Sequence, residues 1–308
     1  MTDDLPPAGA VPPLPKPDPE RVRELLLDWC GADPEDALAA AEAVSGLDGE
    51  LLALAGRMHH SIAEDMGGRL WRRWPKPSPD SPDPERLLGL YPLLAAVPLM
   101  LDFHRGIGVD EDGSRLVLQD IGEKLRLNRE LYGRPGLDVA FWFTAHVRGT
   151  IYQLGRLQFC MEGTTTKPRI GLHIRGEGGP LTPEAVRSSV EQALEFFPAK
   201  FPDLFPSGRS MSFMCSSWLL DPQLRDWLPE RSNILKFGAL FDLVGPATYA
   251  NANRRDDIWR FVFARTPDTP LEELPMEHTL QRSVLAGIKA GVDFQTRLGD
   301  LKRERLGL

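Results

Sequence analysis

Only three cysteines occur in the 308 residues, Cys30, Cys160 and Cys215, and no two of them stand at a paired spacing. Without a C-x-x-C pair, neither a zinc ribbon nor a disulfide framework is expected, and reduced thiols of a cytoplasmic protein fit best. Basic residues are in deficit: 36 Lys and Arg stand against 44 Asp and Glu, a net charge of −8. Phosphate-backbone contacts need clustered cations, so a general nucleic-acid binder is excluded, and an anionic membrane surface gains no support. No apolar run approaches the roughly 18 residues that a membrane-spanning helix needs. The first nineteen residues are acidic and Pro-rich, lacking both the basic start and the apolar core of a signal peptide. Tyrosine is scarce, with none between Tyr152 and Tyr249. No 20–50-residue repeat is visible.

What remains is ample for folding. Hydrophobic residues make up 42% of the chain, and seven Trp are among them. Twenty-eight Pro and 28 Gly are about 18% of the chain, below the roughly 25–30% that marks disorder. The length predicts two domains.

The texture divides the chain. Residues 1–19 carry seven prolines and read as a disordered or extended lead-in. Residues 20–132 read as a helical domain. Val22, Leu25, Leu26 and Trp29 recur at helical spacing, Asp33-Pro34 opens a second helix, and a third runs from Gly49 to Met66. A Pro-rich loop covers Trp74 to Pro84, helices resume over Glu85–Phe103 and Asp120–Tyr132, and Gly106–Leu118 reads as a turn or hairpin. His59-His60 sits on a helix, where adjacent positions face apart and do not share a metal. Asp110-Glu111-Asp112-Gly113 lacks the closing Glu of a calcium loop and reads as a turn.

Residues 133–308 read as a second, mixed domain. A helix is expected at Leu137–His146, then strands at Thr150–Met161, Arg169–Ile174, Ser210–Leu219, Asn233–Val244 and Ile258–Ala264, with helix again from Leu280. The fold class is therefore α/β (α+β): a helical N-terminal domain, then a mixed-sheet domain.

The richest stretch is RIGLHIRGEGGPL, residues 169–181. Ile170, Leu172 and Ile174 alternate with Gly171, His173 and Arg175, so the two sets face opposite sides of a strand. Gly176, Gly178 and Gly179 remove side chains where a backbone must approach a ligand. Thr182 is a good N-cap and Pro183 suits the first helical position, with an apolar stripe of Val186, Val190, Leu194 and Phe197 behind them. Strand, glycine turn and capped helix together present bare N–H groups and a positive helix end to an anion, typically a phosphate.

The phrases LGRLQF (154–159), GLHI (171–174), GGPLTPEAV (178–186), SSWLLDPQL (216–224) and SNILKF (232–237) resemble the GNAT superfamily of acyl-CoA-dependent N-acyltransferases. The resemblance is closest to a bacterial subgroup in which a helical N-acyltransferase N-terminal domain precedes a GNAT-like C-terminal domain. It implies transfer of an acyl group from acyl-CoA, or from the phosphopantetheine of an acyl carrier protein, to an amine of a small metabolite or peptide by direct attack, with no metal. It also implies donor contacts at Ile174, Arg175, Gly176, Glu177, Gly178, Gly179, Leu181, Thr182, Cys215 and Ser216. One departure stands out: in Arg175-x-x-Gly178-Gly179-Pro180 a proline occupies the place of the last Gly or Ala of the usual motif, and proline has no N–H to give.

The chemistry needs a base for the amine, a donor for the thioester oxygen and an acid for the leaving sulfur. His173 and Glu162 are the candidate bases, with Glu177 a further carboxylate, and Ser217 or Ser216 can protonate sulfur or hold the pantetheine arm. Trp218 and Trp227 suit a core or a pocket wall. Two other readings stay open: a thiol nucleophile, Cys160 or Cys215 with His173, acting through an acyl-enzyme, and a non-catalytic module that binds acyl-CoA or a carrier protein.

Overall fold

The structure is a computed structural model describing residues 5–69, 73–245 and 254–308. It divides into two compact units, Met1–Tyr152 and Gln153–Leu308. No described helix is long and apolar enough to cross a membrane.

The first unit is helical: α1 (Pro19–Asp28), α2 (Pro34–Ser45), α3 (Gly49–Ala63), α4 (Asp83–Arg86), α5 (Leu90–Ala95), α6 (Val97–Gly106), α7 (Glu111–Tyr132) and α8 (Phe143–Val147). Residues 5–18 precede α1 in neither helix nor strand. Leu14 N donates to Leu52 O at 3.1 Å, and the Tyr91 hydroxyl donates to Pro15 O at 2.8 Å. Of the turn or hairpin expected at Gly106–Leu118, the turn is present, with Gly108 at φ 72° between α6 and α7, and the residues from Glu111 on belong to α7. Asp110 caps this helix, its carboxylate accepting from Gly113 N at 2.8 Å, which explains the acidic DEDG cluster as an N-terminus.

Buried polar groups of this unit include Asp120 and His104. Asp120 on α7 is flanked by Lys124 Nζ at 2.8 Å and His146 Nε2 at 3.4 Å. His104, fully buried, shares a 2.8 Å hydrogen bond between Nδ1 and Ser114 Oγ. Ser114 spends its own proton on Asp110 O at 2.9 Å, so His104 Nδ1 carries the proton and Nε2 is left bare.

From Ile151 onward the chain forms a six-stranded mixed sheet in the order β1-β2-β3-β4-β6-β5. The elements are β1 (Ile151–Leu154), β2 (Leu157–Gly163), β3 (Pro168–His173), α9 (Pro183–Lys200), β4 (Phe213–Ser217), α10 (Asn233–Gly238), β5 (Phe241–Leu243), α11 (Arg254–Phe263), α12 (Thr279–Lys289) and β6 (Arg297–Leu301). β2 and β3 pair antiparallel, β3 and β4 parallel, and β6 runs antiparallel to both β4 and β5. Helix α9 buries Val186, Ser189, Val190, Ala193 and Phe197, with Leu194 only half-buried. Phe197 meets Phe159 of β2 edge-on at 6.4 Å, and Phe159 in turn meets Phe213 of β4 at 6.0 Å, so this helix covers one face of the sheet.

Three expectations are corrected here. Asn233–Val244 is a short helix and a short strand, because Ser232 caps Ile234 N at 3.2 Å and starts α10 before β5 begins. Ile258–Ala264 is helical. Its bulky, β-prone residues mimic a strand, but Ile258, Trp259, Val262 and Phe263 are buried at i, i+1, i+4 and i+5 while Phe261 is exposed. A bond from Arg265 N to Trp259 O closes the helix over Ala264 at φ 50°. The helical texture from Leu280 ends at Lys289 and gives way to β6, a strand not foreseen. Trp218 lies in the apolar core with Ile258, Trp259, Phe263 and Phe294, and Trp227 packs against that core.

Candidate active site

The glycine-rich turn is built as its residues dictate. β3 ends at His173, residues 174–182 form the turn, and Thr182 caps α9, its hydroxyl accepting from Ala185 N at 3.2 Å. Gly179 holds φ +79°, which an L side chain rarely adopts. Residues 176–179 are exposed, Ile174 and Arg175 are half-buried, and Leu181 is buried. The turn therefore presents its backbone to solvent at the N-terminus of an eighteen-residue helix.

Register places the rest. β3 and β4 pair only from Ile170–Phe213 to Leu172–Cys215, while β4 continues against β6 as far as Ser217. Past Leu172 and Cys215 the two parallel strands therefore present unpaired edges to each other. His173 is the first residue beyond the pairing on β3.

On the sheet face away from α9, β2 and β3 bring several polar groups together. Cys160 lies opposite Gly171 and Glu162 opposite Arg169, and side chains of one face alternate along each strand. Glu162 Oε1 is 3.8 Å from His173 Nε2, and Glu162 Oε2 is 3.4 Å from Arg169 Nε. Gly171 makes this geometry available: a Cβ there would stand 2.3 Å from Glu162 Oε1 and 3.2 Å from His173 Nε2. Burial pushes the Glu162 carboxyl up, but the His173 imidazole and the Arg169 guanidinium outweigh it, and the net shift is down. Glu162 is thus a carboxylate at neutral pH.

Cys160 joins the pair. One ligand atom from each of Cys160, Glu162 and His173 lies within 4.8 Å of the others, the one grouping with metal-ligand chemistry among the described residues.

The remaining candidates separate. Cys215 pairs with Leu172 and faces the buried side of the sheet toward α9; burial pushes its thiol up to about 12. A thiol so held is a poor nucleophile, and it lies on the opposite face from Glu162 and His173. Ser216 is exposed on the same face as Met214. The Ser217 hydroxyl accepts from Leu219 N at 3.1 Å, capping the 3-10 turn Trp218–Leu220. Glu177 is exposed in the turn. Two residues not singled out in the sequence take part in this geometry: Gly171, hidden as one member of an alternating strand, and Arg156 of the β1–β2 turn, whose Nε donates to Gly179 O at 2.6 Å.

Residues 21–149 match the N-acyltransferase N-terminal domain family, and residues 151–301 match the GNAT-like C-terminal domain family. The chain is similar to a mutant acyltransferase solved in complex with octanoyl-CoA, with 33% identity, a TM-score of 0.83, and coverage of 97% of this chain and 91% of that one. It is also similar to an acyltransferase in complex with CoA and 10C-teicoplanin, at 34% identity and TM-score 0.83 over the same shares. A complex of an acyltransferase with decanoyl-CoA and teicoplanin gives 34% identity and a TM-score of 0.82, again over 97% and 91% of the two chains. Among curated proteins nothing matches.

Proposed function

Because the chain belongs to the acyltransferases that join an N-acyltransferase N-terminal domain to a GNAT-like C-terminal domain, we propose that it moves a medium-length acyl group from acyl-CoA to the amine of a peptide-like metabolite. The observation that carries the reading is the Glu162–His173 pair, set where β3 and β4 cease to pair and directly before the glycine turn. The similar acyltransferases bound to octanoyl-CoA or decanoyl-CoA and to teicoplanin support the donor and acceptor classes. A carrier-protein donor, which Pro180 brings to mind, has no comparable support.

The steps follow from the site. The diphosphate rests on the N–H groups of residues 175–179 and 181–182 and on the positive end of α9, and the pantetheine arm enters between β3 and β4. Backbone N–H groups at the mouth of this opening stabilise the thioester oxygen as it gains charge. His173 takes a proton from the attacking amine, and Glu162, a carboxylate 3.8 Å from Nε2, stabilises the imidazolium that forms. Nitrogen bonds to the carbonyl carbon, the C–S bond breaks with its electron pair on sulfur, and the thiolate takes up a proton to leave as CoA-SH. Ser216 and Ser217 lie on β4 as the candidate donors of that proton. Such chemistry belongs in the CoA-containing cytoplasm and calls on neither metal nor nucleic acid.

The test is thiol release from octanoyl-CoA and decanoyl-CoA over a panel of amines including deacylated teicoplanin, with the acylated product identified by mass spectrometry. Binding of acyl-CoA without turnover of any amine would instead favour the non-catalytic module.

A further inference from the structure

One motif of the sequence is unused by this reading: LGRLQF, residues 154–159. Its Gly155-Arg156 pair forms the turn between β1 and β2, and the structure draws that turn onto the start of α9. Gly155 sits at φ +61°, where a Cβ would come within 2.8 Å of Ser189 Oγ. Arg156 N donates to that same oxygen at 2.7 Å, and Ser189 passes its proton to Ala185 O at 2.9 Å inside α9. The arginine is thereby fixed at its backbone to the first turns of the helix. Its side chain, only 8% exposed, runs under the glycine turn and donates from Nε to Gly179 O at 2.6 Å. The guanidinium fills the space where a Gly178 side chain would be, since a Cβ there would lie 2.6 Å from Arg156 Nη1 and 3.1 Å from Cζ.

A buried cation beneath an exposed loop of bare N–H groups reinforces the potential that the loop presents. It also sets the loop's direction. The Gly179 carbonyl is held inward on Arg156, and the peptide it belongs to is the one whose outward N–H is missing because the next residue is Pro180. We infer that Arg156 is a positioning residue of the diphosphate site, holding the turn from below and adding positive charge beneath the point where Pro180 has no N–H to donate. The inference rests on acyl-CoA being the donor.

The test compares equilibrium binding of CoA with that of octanoyl-pantetheine, which lacks the diphosphate, to the full chain and to Arg156→Met, Arg156→Lys and Gly178→Ala. Arg156→Met should weaken CoA roughly tenfold or more, the size of one lost charge-assisted interaction. Octanoyl-pantetheine should change less than about twofold, and CoA binding should show a shallower salt dependence. Arg156→Lys should fall between, keeping the charge and losing the fork. Gly178→Ala reaches the same guanidinium from the loop and keeps the hairpin intact, so it serves where Arg156→Met does not fold. Equal loss of both ligands, or CoA binding unchanged in Arg156→Met and Gly178→Ala, overturns the inference. Failure of the unaltered chain to bind CoA or octanoyl-CoA would instead overturn the donor assignment.

Discussion

Gly171→Ala is the smallest change that reaches the candidate base without touching it. The added methyl would stand 2.3 Å from Glu162 Oε1 and 3.2 Å from His173 Nε2. Ordinary contact begins near 3.4 Å, so the carboxylate must retreat by about 1 Å, a displacement that costs on the order of 10²-fold when it falls on reacting groups. The retreating atoms are the ends of side chains, so the strand is spared. Alanine in place of a strand glycine also stabilises the fold, by up to about 1 kcal/mol. The variant should therefore keep its melting temperature and its affinity for CoA while kcat falls between about tenfold and a hundredfold. Steady-state thiol release at saturating acyl-CoA reads kcat, differential scanning fluorimetry reads the melting temperature, and a CoA titration at equilibrium reads the affinity. Gly106→Ala, outside the site, is the control, because nothing lies within 4 Å of its Cβ position. Full kcat in Gly171→Ala would mean that the contact between Glu162 and His173 has no part in the reaction.

Three further outcomes are expected. Glu162→Gln and His173→Gln should each lower kcat by about 10²–10⁴-fold, and the double variant should be little worse than the worse single one, because the two act as a unit; additive losses would contradict that. His104 is held at about 4 by burial. The unfolded chain binds the extra proton between about 6.5 and 4, so stability falls with pH across that window and levels off below it, by about 3 kcal/mol in all. Urea midpoints at several pH values should show this slope, and His104→Gln should flatten it; an unaltered slope in the variant would refute the assignment. Thiophilic Zn²⁺ should inhibit reversibly through Cys160, Glu162 and His173, and Cys160→Ser should relieve the inhibition; equal inhibition of the variant would rule that cluster out.

The part of the site read most directly from the sequence is the part governed by local rules. Alternation along 169–173, glycines in the turn and the Thr182-Pro183 start of α9 are each decided within a few residues and appear in the structure, while Ile174 and Arg175 already belong to the turn. Properties that depend on partners were hidden. Whether Cys215 faces the ligand side or the core follows from its parallel register with Leu172, which no local pattern reveals. Gly171 looks like any strand glycine until Glu162 and His173 are placed over it. β6 escaped notice because RLGDL is short, charged and broken by glycine, yet it pairs with both β4 and β5; Gly299 is needed there, since a Cβ would meet Phe241 at 2.8 Å. The helix α11 reads as a strand in the sequence because residues that favour strands also fill a helix's buried face. Arg156 does carry a signal, the one charged residue of the hairpin phrase LGRLQF, but its meaning depends on a turn more than twenty residues away.

The three free thiols offer an unplanned instrument. Cys30 is wholly enclosed, and Cys160 and Cys215 are each 2% exposed. A colorimetric reagent added to follow CoA-SH should therefore find almost nothing on the native protein, and the background should not grow with enzyme concentration. Each thiol becomes reactive only when its surroundings open. Cys30 belongs to the helical unit, while the other two belong to the sheet unit. Slow labelling followed by peptide mass mapping would thus time the opening of each unit separately, with no probe introduced.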